Sequence, residues 1–136
     1  MKIQYKKGYR FQTVSNYSVF IGIRPKKNVE TQFLTLTSEG QLQIRSGYAW
    51  DGASGRVTIQ TRTIMRGSLV HDALYQLCRM ELLHKDFREL ADIELKKICK
   101  EDGMWSVRAW YVFEAVRWFG ASSADPRNVK KVFIAP

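Results

Sequence analysis

"RGSLVHDALYQL", Arg66 to Leu77, is the stretch on which the reading of this chain turns. Its apolar and small residues recur at spacings of three and four, the period of a helix with one buried face. Ile64, Gly67, Ser68, His71, Leu74, Tyr75 and Cys78 share one stripe, so His71 points inward with Tyr75 one turn further along. Asp72 lies about 100° round the helix and cannot share its target. A buried ionisable group needs a partner, and the next helical segment offers one. "RELADIEL", Arg88 to Leu95, follows a turn through "MELLHK", Met80 to Lys85. The point midway between His71 and Asp92 falls inside that turn, and Tyr75 and Arg88 share the same midpoint. Folding the two helices back antiparallel therefore sets His71 opposite Asp92.

Outward from this hairpin, Thr63 caps a first helix over about 64–80, and a second runs over about 85–100, ended by Gly103. A third covers about 104–119, with Trp105, Val112, Val116 and Phe119 at helical spacing on its inner side, and Gly120 closes it. The front of the chain has a different character. "YRFQTV", "YSVFIGI", "QFLTLT" and "QLQIRS" are rich in β-branched and aromatic residues and partly alternate, which predicts strands across about 9–46. Ser38-Glu39-Gly40 predicts a hairpin turn, with Gly40 at positive φ. Strands first and helices after define an α+β fold: an antiparallel β-meander, a glycine-bearing loop and a three-helix part. At 136 residues one domain is expected, with a β-rich part over 1–47, the loop and helices over 48–120, and a tail over 121–136 carrying a short strand at "KVFIA".

The net charge is +9, and the surplus is uneven: residues 1–50 hold eight Lys/Arg against two Asp/Glu. That imbalance predicts an anionic partner, whether a lipid surface, an acidic protein or nucleic acid, or simply a solvated surface. Two cysteines, Cys78 and Cys99, are too few for a disulfide framework and sit near opposite ends of the hairpin levels, so no bridge between them is expected. "MKIQYKKGYRF" lacks the apolar core of a secretory signal, and no stretch is long and apolar enough for a membrane span. A cytoplasmic setting is the expectation.

A carboxylate on one imidazole nitrogen fixes the tautomer and leaves the other nitrogen to take a proton, for instance from water. Asp72, turned elsewhere, is a candidate metal ligand. The loop "YAWDGASG" adds the Asp51 carboxylate and, at Gly52, backbone able to turn a carbonyl inward. The same spacing equally fits a core hydrogen bond without chemistry.

"GYAWDGASG", "MRGSLVHDALYQL" and "RELADIEL" together closely resemble a protein family of unknown function common in tailed phages and prophages, over about 48–120. More distantly, the segment resembles the core of secreted phospholipases A2, particularly their compact bacterial and fungal branch. The matching residues are Asp51-Gly52-Ala53-Ser54, His71-Asp72 with Tyr75, and Asp92. Asp51 stands 20 residues before His71 and Asp92 stands 21 after it, close to that family's spacing. The resemblance implies a catalytic group of His71, Asp92 and Tyr75. It also implies Ca²⁺ or another divalent cation held by Asp72, Asp51 and the carbonyl of Gly52, and a lipid or acyl-ester substrate. The cation would polarise the ester carbonyl and stabilise the oxyanion. The family's cysteines are absent where Ala53 and Ser68 or Leu69 stand, so core packing holds the hairpin here. The phage resemblance implies the cytoplasm of an infected host, or a virion.

The competing expectation is a non-enzymatic phage accessory protein. It would bind a host or virion partner through basic residues such as Lys26, Lys27 and Arg45. Nucleic-acid binding rests on charge and aromatics alone, and "RPKKN" and "RNVKK" match no known module. Trp110 and Tyr111 flank the wetter side of the third helix, marked by Glu114 and Arg117. They suit a lipid interface, a base or a protein, but a helix packed on both faces is the expectation. His84 and Asp86, in the inter-helix turn, form a further candidate ligand pair.

Overall fold

The computed structural model describes residues 5–6, 11–50 and 62–119. These form two compact units, the first holding the strands up to Trp50 and the second the helices from Arg62. The expected α+β order, an antiparallel β-meander region and then three helices, is what the chain adopts. The strand expected at "KVFIA" and the loop residues Asp51 and Gly52 lie outside the described residues.

In the first unit, β1 (Tyr5–Lys6), β2 (Phe11–Thr13) and β7 (Ala49–Trp50) make one small antiparallel sheet in the order β1-β2-β7. The second sheet has the order β3-β6-β5-β4, from β3 (Tyr17–Phe20), β4 (Val29–Glu30), β5 (Leu34–Leu36) and β6 (Gln41–Ile44). The period of two decides its faces. Leu34, Leu36, Leu42 and Ile44 are fully buried, while Thr35, Gln43 and Ser18 stand in register on the other side. Gly40 has φ +92°, and a Cβ there would meet the Ile21 carbonyl oxygen at 2.6 Å. Only glycine fits that turn. The three two-residue strands, β1, β4 and β7, escape the sequence pattern because two residues show no periodicity.

Arg45, one of the basic residues expected to meet a partner, is partly exposed and clasps its own sheet. It donates to the carbonyls of Thr31 and Gln32, to Thr35 Oγ1 at 2.9 Å and to Glu30 at 3.3 Å. Lys26 and Lys27 remain exposed.

The second unit holds α1 (Arg62–Arg79), a single 3-10 turn (Lys85–Phe87), α2 (Arg88–Glu101) and α3 (Ser106–Phe119). No helix among the described residues is long and apolar enough to cross a membrane. Helix α1 ends in a Schellman arrangement: the amide of Leu82 donates to the Leu77 carbonyl and that of Glu81 to Cys78. Glu81 takes the left-handed position there, at φ 59°. Helix α2 ends in the same way, with Met104 donating to Cys99 and Gly103 at φ +99°. Helices α1 and α2 are antiparallel neighbours, and Gly67 is what lets them approach. A Cβ at that position would stand 2.9 Å from Cys99 Sγ and 3.0 Å from a Leu95 methyl. Beyond Gly67, the buried Arg66 guanidinium grips Asp102 through Nε and Nη2 at 3.0 Å and Glu101 at 2.9 Å, which ties the open end of the hairpin.

Helix α3 departs from expectation. Its inner side is Ala109, Val112 and Ala115, preceded by Met104, in a cluster with Ile64, Leu95 and Cys99. Trp105, assigned above to that inner side, is 85% exposed and precedes the helix. The turn at Gly103 delivers Met104 to the core and rotates the next residue outward. Nor is the helix packed on both faces: Val107, Trp110, Tyr111 and Trp118 form an exposed stripe. The Phe119 side chain lies outside the described residues.

Both cysteines are buried and free, as expected. Burial pushes the Cys78 thiol from its ordinary 9.0 up to about 11, and Cys99 up to about 12. The folded state therefore favours the protonated thiols. This contribution to stability is complete below about pH 9 and is lost as pH rises towards 11–12. Urea unfolding at stepped pH should show stability declining across that window. At neutral pH a thiol reagent should modify neither cysteine until urea unfolds the chain, and fast labelling of the native protein would contradict this.

Candidate functional site

The hairpin brings His71 and Asp92 together. His71 Nε2 lies 2.7 Å from Asp92 Oδ1, across α1 and α2. Asp92 is fully buried and accepts two more hydrogen bonds: the Tyr75 hydroxyl donates to Oδ1 at 2.5 Å, and Arg117 Nη1 donates to Oδ2 at 3.0 Å. The Arg117 guanidinium gives the buried carboxylate a charge-assisted hydrogen bond. An ionised carboxylate only accepts hydrogen bonds, so Nε2 is the ring nitrogen that donates to Asp92, and Nδ1 is turned away from it. Nδ1 stands 4.0 Å from Asp72 Oδ1, beyond hydrogen-bond reach. The imidazole is buried and stacks on the Tyr75 ring at 4.0 Å between centroids.

Tyr75 is a fixed donor. Burial first, and the Asp92 carboxylate second, push its phenol far above the ordinary tyrosine range. It keeps its proton, holds Asp92 and accepts from Arg88 Nε at 3.1 Å. Tyr75, expected from sequence among the catalytic residues, is joined to His71 through the oxygen of Asp92 that both contact.

Arg88 also donates through Nη2 to the carbonyls of Arg117 and Val116, the last turn of α3. A cation there satisfies orphan carbonyls and opposes the negative end of the helix. The sequence placed Arg88 level with Tyr75 but gave no reason to place Arg117 at Asp92. It assigned Arg117 to the wetter side of α3. The one available signal was charge: a buried carboxylate with only a histidine and a phenol beside it lacks a full countercharge.

Of the expected metal ligands, only Asp72 is among the described residues. It is partly exposed and adjoins Nδ1 of His71. Among the described residues no group of three or more His, Cys, Asp or Glu side chains gathers as a metal site. A lone carboxylate does not make a calcium site, which takes six to eight oxygens. The fit of Ca²⁺ therefore rests on Asp72 together with loop residues outside the described set. His84 and Asp86 form a local cap rather than a ligand pair. His84 Nδ1 accepts from the Asp86 amide at 3.1 Å, and its ring lies 3.2 Å from the Asp86 carboxylate.

Comparison of the chain with protein-family models, with curated proteins and with solved structures gave no match. What can be said of its chemistry comes from these residues.

Proposed function

We propose that this chain is a phage-encoded, phospholipase A2-like ester hydrolase acting on a lipid or similar acyl ester, with His71 as general base. The observation that carries the reading is the 2.7 Å contact from His71 Nε2 to a fully buried carboxylate, with the second nitrogen beside the partly exposed Asp72. Nδ1 takes a proton from water as its oxygen attacks the ester carbonyl, and Asp92 holds the imidazolium that forms. The tetrahedral intermediate then expels the alcohol oxygen, which takes that proton back, leaving acid and alcohol. Asp72, with Asp51 and the Gly52 carbonyl from the loop, would hold a divalent cation, Ca²⁺ by resemblance. Such an ion supplies charge stabilisation at the carbonyl oxygen.

The test is hydrolysis of a panel of soluble and phospholipid esters, with Ca²⁺ and with chelator. Turnover should require the cation. Free Ca²⁺ at a hundred times its dissociation constant should add about 2.7 kcal/mol of stability. A folded protein that hydrolyses no ester and gains no thermal stability from any divalent cation would sink the reading.

A second reading, a non-enzymatic accessory protein, draws support from the exposed stripe on α3 and the exposed Lys26 and Lys27. In that case the His71–Asp92 pair is a core hydrogen bond, and the partner is a host or virion component.

A further inference from the structure

Helix α3 is apolar nearly all round: ten of its fourteen residues are aliphatic or aromatic. A helix of that composition is ordinarily covered on every side. Here Ala109, Val112 and Ala115 face the core, while the opposite side stands open. On it Val107 is 80% exposed, Trp110 54%, Tyr111 56% and Trp118 78%. With a tryptophan presenting up to about 250 Å², these four side chains offer roughly 500 Å². Two such faces together reach about 1,000 Å², the size at which specific interfaces begin.

The pattern of this face selects its occupant. Val107, Tyr111, Glu114 and Trp118 follow one another at steps of four, three and four, the seam spacing of a two-stranded coiled coil. The series reads the same from either end, so two copies laid antiparallel match. Val107 of one copy then meets Trp118 of the other, small against large, and Tyr111 meets Glu114. Neither Tyr111 nor Glu114 has a hydrogen bond or ion pair among the described residues. Across a two-fold axis the phenol of each copy donates to the carboxylate of the other. A parallel pairing would instead set carboxylate against carboxylate. A lipid surface is the poorer match, because helices that lie in lipid carry Lys and Arg beside their apolar face. Helix α3 has no Lys; its Arg117 is engaged with Asp92, Arg108 is half-buried, and Glu114 falls within the aromatic stripe.

We infer that the outward face of α3 is a self-association surface, on which two copies of this chain pack antiparallel through Val107, Trp110, Tyr111, Glu114 and Trp118. The inference stands apart from the hydrolase reading, and it gives the stripe an occupant other than a host or virion component.

The test is sedimentation equilibrium of the full chain from about 1 to 100 μM. Salt is held at about 0.15 M, where repulsion between two chains of charge +9 is screened beyond about 8 Å. Twice the mass of one chain is expected at the upper end. Trp110→Ser and Trp118→Ser should each weaken the dimer by about tenfold or more, as loss of a buried aromatic anchor does. Both residues face outward in the single chain, so urea unfolding should hardly change. Phe20→Ser, which removes an exposed aromatic from β3, should leave the dimer intact. Orientation is read by cross-linking. Mixed chains carrying Val107→Cys or Trp118→Cys should join through a short bis-maleimide, and neither should join to itself, since the native cysteines are buried. A single-chain mass at about 100 μM overturns the proposal, and flotation of that monomer with anionic vesicles would assign the face to lipid. A dimer that survives both tryptophan changes overturns it too, as does Val107→Cys joining to itself. Should either serine variant fail to fold, the native mass and the cross-linking pattern still decide.

Discussion

Asp92→Ala is expected to lower the free energy of unfolding by about 3–5 kcal/mol, the range for removing one partner of a buried ion pair. The carboxylate accepts from His71, Tyr75 and Arg117 and has no exposure to water. Alanine leaves those donors facing an apolar gap, and the guanidinium loses its countercharge. Asp92→Asn keeps the volume and one acceptor oxygen, but turns an amide N–H₂ towards one of the donors. It should lose less, about 1–3 kcal/mol. Urea unfolding followed by circular dichroism measures both. An Asp92→Ala protein within about 1 kcal/mol of native would show that these bonds do not hold the three helices together.

The second large effect is on chemistry. His71→Gln should reduce ester turnover by about 10²- to 10⁴-fold, the usual worth of a general base, while the fold persists. A glutamine amide can still donate to Asp92 Oδ1, so the buried carboxylate keeps a partner. It has no nitrogen that can accept a proton from water. Turnover and urea unfolding, measured on one preparation, separate the two effects. Undiminished hydrolysis by the variant would remove His71 from the mechanism. Loss of activity together with loss of folding would assign the histidine to the core alone.

The pairing of His71 with Asp92 was legible because each step towards it is local. Helical period sets which face His71 occupies, and distance from the turn sets its level on the hairpin. Gly40 and Gly103 were legible for the same reason, since a left-handed backbone position favours glycine wherever it occurs. The outward face of α3 was not legible. Trp105 has the right spacing for the inner side, but the helix begins one residue later, and Met104 fills the core position instead. Nor was the clasp of Arg45, whose four polar partners come from a hairpin that brings Glu30 to Thr35 beside it.

By itself, then, the sequence determined the α+β order, the antiparallel hairpin of α1 and α2, and the imidazole–carboxylate contact within it, because period and chain length act through neighbours a few residues apart. Only the tertiary structure decided that Asp92 is a four-group junction. Arg117 lies 25 residues further along the chain, and whether its guanidinium meets solvent or Asp92 depends on how α3 packs on the hairpin. Packing of that kind is set by shape and charge summed over three helices, including the Arg88 clasp on the end of α3, and no spacing within one segment encodes it.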